Sequence, residues 1–281
     1  VDYLKTHAHI DDLAFVSFEH YPFQPCTITW KSLYLEPQLI KHILQVWRDD
    51  GVPKNVPLMV TEDHLAAELT GPMTTIFAAL WLADNVGAFL EGGGAAFYHS
   101  PIQPQDLHNT CLGWASWSNF VADKNYNIRG YTAAQMINLE WVQHRSGVHR
   151  MFPSAVKIAD SEGNSLVTSY ALYRPDGSWS VMLVNRDETN PHSVRLEFDD
   201  SANKKTAYFS GPVRLATFGS EQYVWINDGL NSHADPDGPL VATTVDGGPH
   251  TTFNLPKASI TVLRGNVRGL TDSGRGENGG N

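Results

Sequence analysis

The sequence has few cysteines, an excess of acidic over basic residues, and no long uninterrupted hydrophobic run. Two cysteines among 281 residues are too few for a disulfide framework or a cysteine-rich zinc site. Lys and Arg number 20 against 30 Asp and Glu, a net charge of −10, so the basic face that binds duplex nucleic acid is not expected. Every apolar stretch of about 20 residues is interrupted by charges or amides, which argues against a membrane-spanning helix. Neither nucleic acid nor a membrane is therefore expected as a partner.

Signatures of several enzyme classes are also missing from the sequence. It contains neither the GxSxG of an esterase nor the HExxH of a zinc hydrolase, although Asp63 and His64 stand side by side. The glycines at 92–94 do not match a loop that cradles phosphate. We therefore expect no cofactor and no metal site.

Apolar residues make up 42% of the chain and aromatic residues 11%, enough for a folded core. In the first half, short β-type runs alternate with segments of helical periodicity. The β-type runs are 13–18, 56–61 and 95–99, and the helical segments are 30–50, 72–90 and 131–143. This alternation predicts parallel βα units.

From about residue 148 the pattern becomes all-β. Two strand-like segments, 165–173 and 178–184, flank a Pro-Asp-Gly turn at 175–177, which predicts a hairpin. Further strands are predicted at 193–198, 207–209, 213–215, 223–226 and 259–263. The fold class is therefore α/β plus all-β, with an α/β domain at 1–147, an antiparallel β-sandwich at 148–265, and a flexible, glycine-rich tail at 266–281.

Two carboxylates stand at strand ends in the first half, Glu19 and Glu62. The C-terminal ends of parallel strands face the site in βα folds, so the two could lie close together. Glycoside hydrolysis needs such a pair, one to attack or activate water and one to protonate the leaving oxygen. Tyr98 and His99 reach the same rim, and Trp114 and Trp117 follow in a loop where indole faces can stack on sugars. From position alone, a solvated or capping role is the more common one for a Glu such as Glu62 after a strand, and His20 and His99 are more often structural histidines than catalysts.

Three segments resemble strands of known enzymes. Ala-Phe-Val-Ser-Phe-Glu-His-Tyr-Pro at 14–22 resembles the sixth strand of retaining (β/α)8 glycosidases of clan A. Leu-Met-Val-Thr-Glu at 58–62 resembles their seventh strand, and 95–101 resembles the eighth. With the sandwich that follows, the order over 13–265 is similar to xylosidases and iduronidases of glycoside hydrolase family 39, and also to families 51 and 30. The resemblance implies a partial (β/α)8 TIM barrel, strands six to eight, followed by a β-sandwich.

The resemblance also implies roles for individual residues. Glu62 takes the place of the nucleophile, and Glu19 stands where these enzymes usually carry His, as an acid or as a modulator of Glu62. The residues implied to line the sugar subsite are His20, Tyr21, His99 and Trp114. These families place the acid/base in an Asn-Glu dipeptide on strand four, and this sequence has no Asn-Glu dipeptide. The acid/base is therefore expected upstream of Val1.

A closed barrel needs eight strands and about 250 residues, far more than three βα units supply. Three arrangements are compatible with this: a fragment of a longer gene product, a separate chain that supplies the N-terminal half-barrel, or a small α/β layer standing alone. The chain begins with Val rather than Met, so the lack of a signal peptide says nothing about its compartment. A secreted or periplasmic location is expected from the substrate class.

The sequence thus predicts a retaining glycoside hydrolase that acts on oligosaccharides or polysaccharides and needs no cofactor. One alternative is a non-catalytic carbohydrate-binding protein on the same scaffold. Another is a carbohydrate-binding module formed by residues 148–265.

Overall fold

A computed structural model of the chain describes residues 1–99, 102–122, 128, 130–144, 146–201 and 203–268. The fold is a mixture of helices and sheets, mostly sheets, and several of the sheets are antiparallel. Within these ranges the strands do not close into a barrel. The α-helices are α1 (Asp2–Thr6), α2 (Glu36–Asp49), α3 (Ile76–Glu91) and α4 (Gly130–Gln135), the last continuing as a π-helix over Met136–Trp141. Short 3-10 helices lie at Ile10–Asp12, Trp30–Tyr34, Gly71–Thr74 and Gly229–Asn231.

The strands fall into two groups along the chain. The first group is β1 (Val16–His20), β2 (Leu58–Asp63), β3 (Ala96–Phe97), β4 (His108–Thr110) and β5 (Gly113–Ala115). The second begins with β6 (Arg150–Phe152), β7 (Val167–Tyr173), β8 (Trp179–Asn185), β9 (His192–Val194), β10 (Phe198–Asp200) and β11 (Lys205–Ala207). It ends with β12 (Phe209–Gly219), β13 (Tyr223–Ile226), β14 (His233–Asp237), β15 (Val241–Gly247), β16 (Phe253–Leu255) and β17 (Ser259–Val267).

Strands β1, β2 and β3 of the first group form a three-stranded parallel sheet in that order, which confirms the predicted parallel βα units, and β4 and β5 form a separate antiparallel pair. Strands β1 and β2 end later than the sequence predicted, so Glu19 and Glu62 lie inside the strands rather than after them. The register pairs Phe18 with Val60 and then Glu19 with Glu62, leaving Thr61 as an extra residue on β2. This bulge matters because side chains alternate between the two faces of a strand. Without it, Glu62 would share the face of the buried Leu58 and Val60.

Helices α2 and α3 cover one face of the parallel sheet. The sequence predicts one helix over 72–90, whereas the structure has a 3-10 turn followed by α3, whose first turn is capped by Thr75 accepting a hydrogen bond from the Phe77 N–H. Nearly every residue of α3 is buried, because α2, α4 and the antiparallel sheet surround it. Among the described residues, no helix combines the length and apolar character needed to cross a bilayer.

The second group centres on a six-stranded antiparallel sheet in the order β15-β12-β17-β8-β7-β6. The predicted hairpin is its β7–β8 pair. One face of this sheet packs on α3 and shares a core with the parallel region, and the other face packs on the two-stranded sheets β9–β16 and β10–β11. Because both faces are covered, β8 is buried along nearly its whole length.

The single strand predicted at 193–198 is wrong. Its two ends become β9 and β10, which pair with different partners, β16 and β11. The alternating pattern is present, but each half finds its own partner strand. The predicted tail at 266–281 overlaps the end of β17, and residues 269–281 lie outside the described residues.

Candidate functional site

Glu19 and Glu62 are register partners on neighbouring parallel strands, and both side chains are exposed. They lie on the face of the sheet opposite α2 and α3, together with Ser17 and Met59. Neighbouring strands are about 4.8 Å apart, so two carboxylates on the same face at partnered positions share one small region of surface. The bulge at Thr61 is the local feature that brings them to this common face.

Tyr21 adds a hydrogen-bond donor to this pair. Its hydroxyl donates to Oε2 of Glu62 at 2.6 Å. Burial, the hydrogen bond to Glu62, and the nearby charges of Glu62 and Glu19 raise the pKa of Tyr21 well above its ordinary value of 10.0. The phenol therefore keeps its proton near neutral pH and holds one carboxylate oxygen of Glu62 in a fixed orientation.

Directly behind the exposed carboxylates lies a layer of buried ionisable residues. His20 follows Glu19 in β1 and points to the helix side, where its Nε2 lies 2.5 Å from Oε1 of Glu36. Both side chains are almost fully buried. Glu36 is the first residue of α2, where the helix dipole favours a negative charge. The pair thus connects the end of β1 to the start of α2.

Asp63 follows Glu62 in the same way and is also fully buried. Its Oδ1 lies 2.8 Å from Nδ1 of His99, and its Oδ2 accepts a hydrogen bond from Asn85 of α3 at 3.4 Å. Burial raises the pKa of Asp63 above its usual value, against the opposing effect of His99 and His20. These contacts join β2 to α3 and to the segment after β3.

His64 completes this buried layer. Its Nδ1 accepts from the Leu65 N–H at 2.9 Å, so Nε2 carries the proton and donates to the Trp117 carbonyl at 3.2 Å. Burial, with the nearby His99, lowers the pKa of His64 to about 3, and the ring stays neutral. The indole of Trp81 lies 6.5 Å, centroid to centroid, from each of His20, His64 and His99.

The loops after the three parallel strands are joined to one another. A disulfide connects Cys26 after β1 to Cys111 in the β4–β5 hairpin. Thr70 after β2 donates to the Pro25 carbonyl at 2.6 Å. Gly71 packs so tightly that a Cβ there would lie 1.8 Å from the Leu112 carbonyl oxygen. The sequence offered no signal for the disulfide, because its two cysteines are 85 positions apart.

The structure places the predicted site residues in three locations. Glu19, Tyr21 and Glu62 come together on the exposed face. His20 and His99 are held in the buried layer behind it. Trp114 lies on β5, packed beside Trp225 over a small separate core, and its described contacts do not include the carboxylates.

The sequence-based prediction missed Glu36, Asn85 and the role of Asp63. The sequence did contain a signal for Asn85, since an amide inside the apolar segment 72–90 needs a buried hydrogen-bond partner. No group of three or more His, Cys, Asp or Glu side chains among the described residues is arranged to hold a metal ion. Two neighbouring carboxyl groups of this kind can act as a nucleophile, a base or a proton donor.

No protein-family model and no curated protein matches this sequence. Among solved structures, the chain is similar to an arabinofuranosidase, with a TM-score of 0.60 and 11% identity over 92% of this chain and 53% of that one. It is also similar to an α-L-arabinofuranosidase from Thermotoga maritima, with a TM-score of 0.55 and 11% identity over 89% and 52% of the two chains. A Paenibacillus polymyxa xyloglucanase from glycoside hydrolase family 44 gives a TM-score of 0.54 and 8% identity over 94% and 49%.

The chain thus spans about half the length of these structures. Sequence identities this low show that the folds are similar and do not show a shared activity or substrate. The chain has a fold like that of glycoside hydrolases.

Proposed function

We propose that this chain is part of a retaining glycoside hydrolase that cleaves O-glycosidic bonds of oligosaccharides or polysaccharides, with Glu62 as the nucleophile. The observation that carries the proposal is the pairing of Glu19 with Glu62 on an exposed face, with Tyr21 hydrogen-bonded to Glu62. The glycosidase-like fold supports it.

In this mechanism Glu62 attacks the anomeric carbon as the glycosidic C–O bond breaks, and the acid/base gives its proton to the leaving oxygen. Water then attacks the glycosyl–enzyme ester and gives a proton back to the acid/base, which releases the sugar and restores the Glu62 carboxylate. The Tyr21 hydroxyl engages Oε2 of Glu62 and leaves Oε1 available for the attack. Glu19 lies close enough to act on a water or a leaving group, or to tune Glu62 by its charge. Of the residues predicted to line the sugar subsite, Tyr21 lies beside the carboxylates. His99 is held by the buried Asp63 and Trp114 packs beside Trp225, so the proposal does not place these two against the sugar.

The proposal includes the rest of the site. The parallel sheet supplies strands six to eight of a (β/α)8 barrel within residues 1–147, and residues 148–265 form a supporting β-sandwich. The remaining strands and the acid/base come from a segment before Val1 or from a second chain. Two observations support this: the carboxylate-bearing face of the sheet is exposed, and the chain spans about half of its structural neighbours. The motifs at 14–22 and 58–62 support clan A in general, and the preference for family 39 over families 51 and 30 rests on the barrel strands being followed by a sandwich that includes Ser-Val-Met-Leu-Val-Asn-Arg at 180–186.

A secreted or periplasmic location is part of the same proposal. The Cys26–Cys111 disulfide supports it, because such bonds persist in oxidising compartments. A polymeric carbohydrate substrate would also lie outside the cell.

The test uses a panel of 2-deoxy-2-fluoro glycosides with a dinitrophenolate leaving group, which departs without protonation. The first half-reaction then needs the nucleophile but no acid, so labelling reports on Glu62 even where the acid/base lies elsewhere. The chain is treated alone and joined to the segment encoded before Val1, and the labelled peptide is mapped by mass spectrometry. A glycosyl ester on Glu62 is expected. A label on another residue, or none with any sugar, contradicts the proposal.

The absence of an Asn-Glu dipeptide favours a second candidate, a carbohydrate-binding protein that does not cleave its ligand. It predicts saturable binding of oligosaccharides by calorimetry with neither labelling nor turnover of nitrophenyl glycosides. An Asn-Glu pair on a strand encoded before Val1 would count against it. Binding by an isolated 148–265 segment would instead assign the sugar site to the sandwich.

A further inference from the structure

The buried layer behind the candidate carboxylates has a composition that packing alone does not explain. Among the described residues, three of its buried polar atoms have no hydrogen-bond partner: Oε2 of Glu36, Nε1 of Trp81 and Oδ1 of Asn85. Each such atom costs free energy, since it has lost water and gained nothing. The layer also holds two carboxyl groups at essentially zero exposure, Glu36 and Asp63, and the desolvation cost of such groups offsets much of the gain from their pairing with His20 and His99.

The buried layer has the same position relative to the exposed carboxylates on both strands. His20 and Asp63 are register partners in the β1–β2 pair, exactly one residue after Glu19 and Glu62. Since side chains alternate along a strand, the two exposed carboxylates and the two buried groups share one stretch of backbone, facing opposite ways. Any shift of His20 or Asp63 therefore moves Glu19, Tyr21 or Glu62.

The partners of the two buried groups come from outside the strands. Glu36 is fixed at the N-terminus of α2, and Asn85 sits in the middle of α3. His99 lies on the segment after β3. Each strand end is therefore attached to a rigid helix by a directional contact, whereas apolar packing would allow the strand to slide.

We propose that Asp63 and Glu36 are positioning residues, which act through His99 and His20 to fix the strand ends that carry Glu62 and Tyr21. The inference rests on the proposed function, because the geometry they fix is that of the nucleophile and its hydrogen-bond donor. On this inference, the buried layer holds the candidate catalytic residues in position and is not there to stabilise the fold.

The test compares Asp63→Asn and Glu36→Gln with a matched variant, Asp84→Asn. Asp84 is also fully buried, lies on α3 next to Asn85, and has an ion pair with Arg186, but its partners Thr168 and Tyr170 belong to the antiparallel sheet. All three changes replace a buried carboxylate by an amide of the same shape. For each, the limiting rate of Glu62 labelling and the probe concentration giving half that rate are measured, together with the thermal unfolding temperature.

We expect Asp63→Asn and Glu36→Gln to lower the limiting labelling rate by about 10- to 100-fold, as small displacements of reacting groups do, with less change in the half-saturating concentration. Asp84→Asn should lower the unfolding temperature and leave the limiting rate unchanged. If Asp63→Asn does not fold, Glu36→Gln carries the test by itself.

The outcomes separate the two proposals. Labelling of the unmodified chain at Glu62, with folded variants that label at the same rate, overturns the positioning role and leaves the proposed function standing. Equal loss of labelling in all three variants also overturns the positioning role, because the loss would then result from reduced stability of the fold. Failure of the unmodified chain to label, both alone and joined to the segment encoded before Val1, overturns the proposed function itself.

Discussion

The parallel sheet and the six-stranded antiparallel sheet are covered in opposite ways. The antiparallel sheet is packed on both faces, by α3 on one side and by small sheets on the other. The parallel sheet is packed only on its helix side, and its other face exposes Glu19 and Glu62. Both regions bury charged groups against α3, Asp84 with Arg186 in one and Asp63 with His99 in the other.

The difference teaches where to look for chemistry in this chain. Buried charge occurs in both regions, so it does not by itself mark a site. What distinguishes the parallel region is that its buried charges adjoin exposed carboxylates on the same strands. The following predictions compare the two regions, in order of decreasing expected effect.

The largest difference should come from the exposed carboxylates. Glu62→Gln should lower glycosidase turnover, or labelling by the activated probe, by a factor on the order of 10⁴ or more, because it removes the group proposed as the nucleophile. The matched variant Glu197→Gln alters a surface carboxylate of the antiparallel region, where it pairs with Arg195. It should leave the rate unchanged, and both variants should unfold at the temperature of the unmodified chain. A residual activity in Glu62→Gln equal to that in Glu197→Gln would contradict the distinction.

The disulfide belongs only to the parallel region, where it closes a loop of 85 positions. A Cys26→Ser/Cys111→Ser double variant should lose ~4–5 kcal/mol of unfolding free energy on the chain-entropy model. Chemical denaturation with and without reductant checks this. Reductant should destabilise the unmodified chain and have no effect on the double variant, and equal responses would argue that the bond is not formed.

A third comparison uses apolar side chains on the two sheets. Leu183 is fully buried in the antiparallel region, so Leu183→Ala should cost ~2–5 kcal/mol of unfolding free energy. Met59 lies on the open face of β2 and is only partly buried, so Met59→Ala should cost ~1 kcal/mol or less. Denaturant titration of the chain alone measures both. Similar costs at the two positions would show that the open face is covered in solution.

The smallest effect, taken per pH unit, is a pH dependence of stability that originates in the parallel region. The pKa of His64 is about 3 in the folded chain against an ordinary value of 6.5. Between these values the unfolded chain binds a proton that the folded chain does not, so unfolding free energy falls as pH decreases from 6.5 towards 3. The slope from this residue is ~1.4 kcal/mol per pH unit.

His64→Asn removes this titration. In this variant the unfolding free energy should depend less steeply on pH between 6 and 4. This holds even though the missing hydrogen bonds lower the unfolding free energy at every pH. An unchanged slope would mean that His64 is charged in the folded chain.

Much of the fold could be predicted from local sequence patterns, because periodicity reports which side of an element is buried. The β7–β8 hairpin lies where its pattern predicts it, and α3 occupies all but the first turn of the helix predicted over 72–90. The failures concern long-range pairing. Nothing local shows that 193–198 splits between two partner strands, or that two cysteines 85 positions apart meet.

The candidate site, like the fold, was predictable only where local sequence patterns report on it. Glu19 and Glu62 could be found because they terminate β-type runs, but their common face depends on the bulge at Thr61, which alternation alone does not reveal. Glu36 was missed because an acid just before a proline at a helix start is usually solvated. Its burial depends on His20, sixteen positions earlier.

The extra residue in β2 has a further consequence, for how this sequence can change over evolutionary time. Substitutions along β1 and β2 can be absorbed one by one, but a regular ladder that paired Thr61 with Glu19 would reverse the facing of every later residue of β2. Glu62 would then point towards α3 and Asp63 into the open. Deleting Thr61 together with the bulge would keep both facings, because the remaining residues then alternate regularly. If the proposed function is correct, homologous sequences should therefore keep the bulge and its extra residue together or lose both.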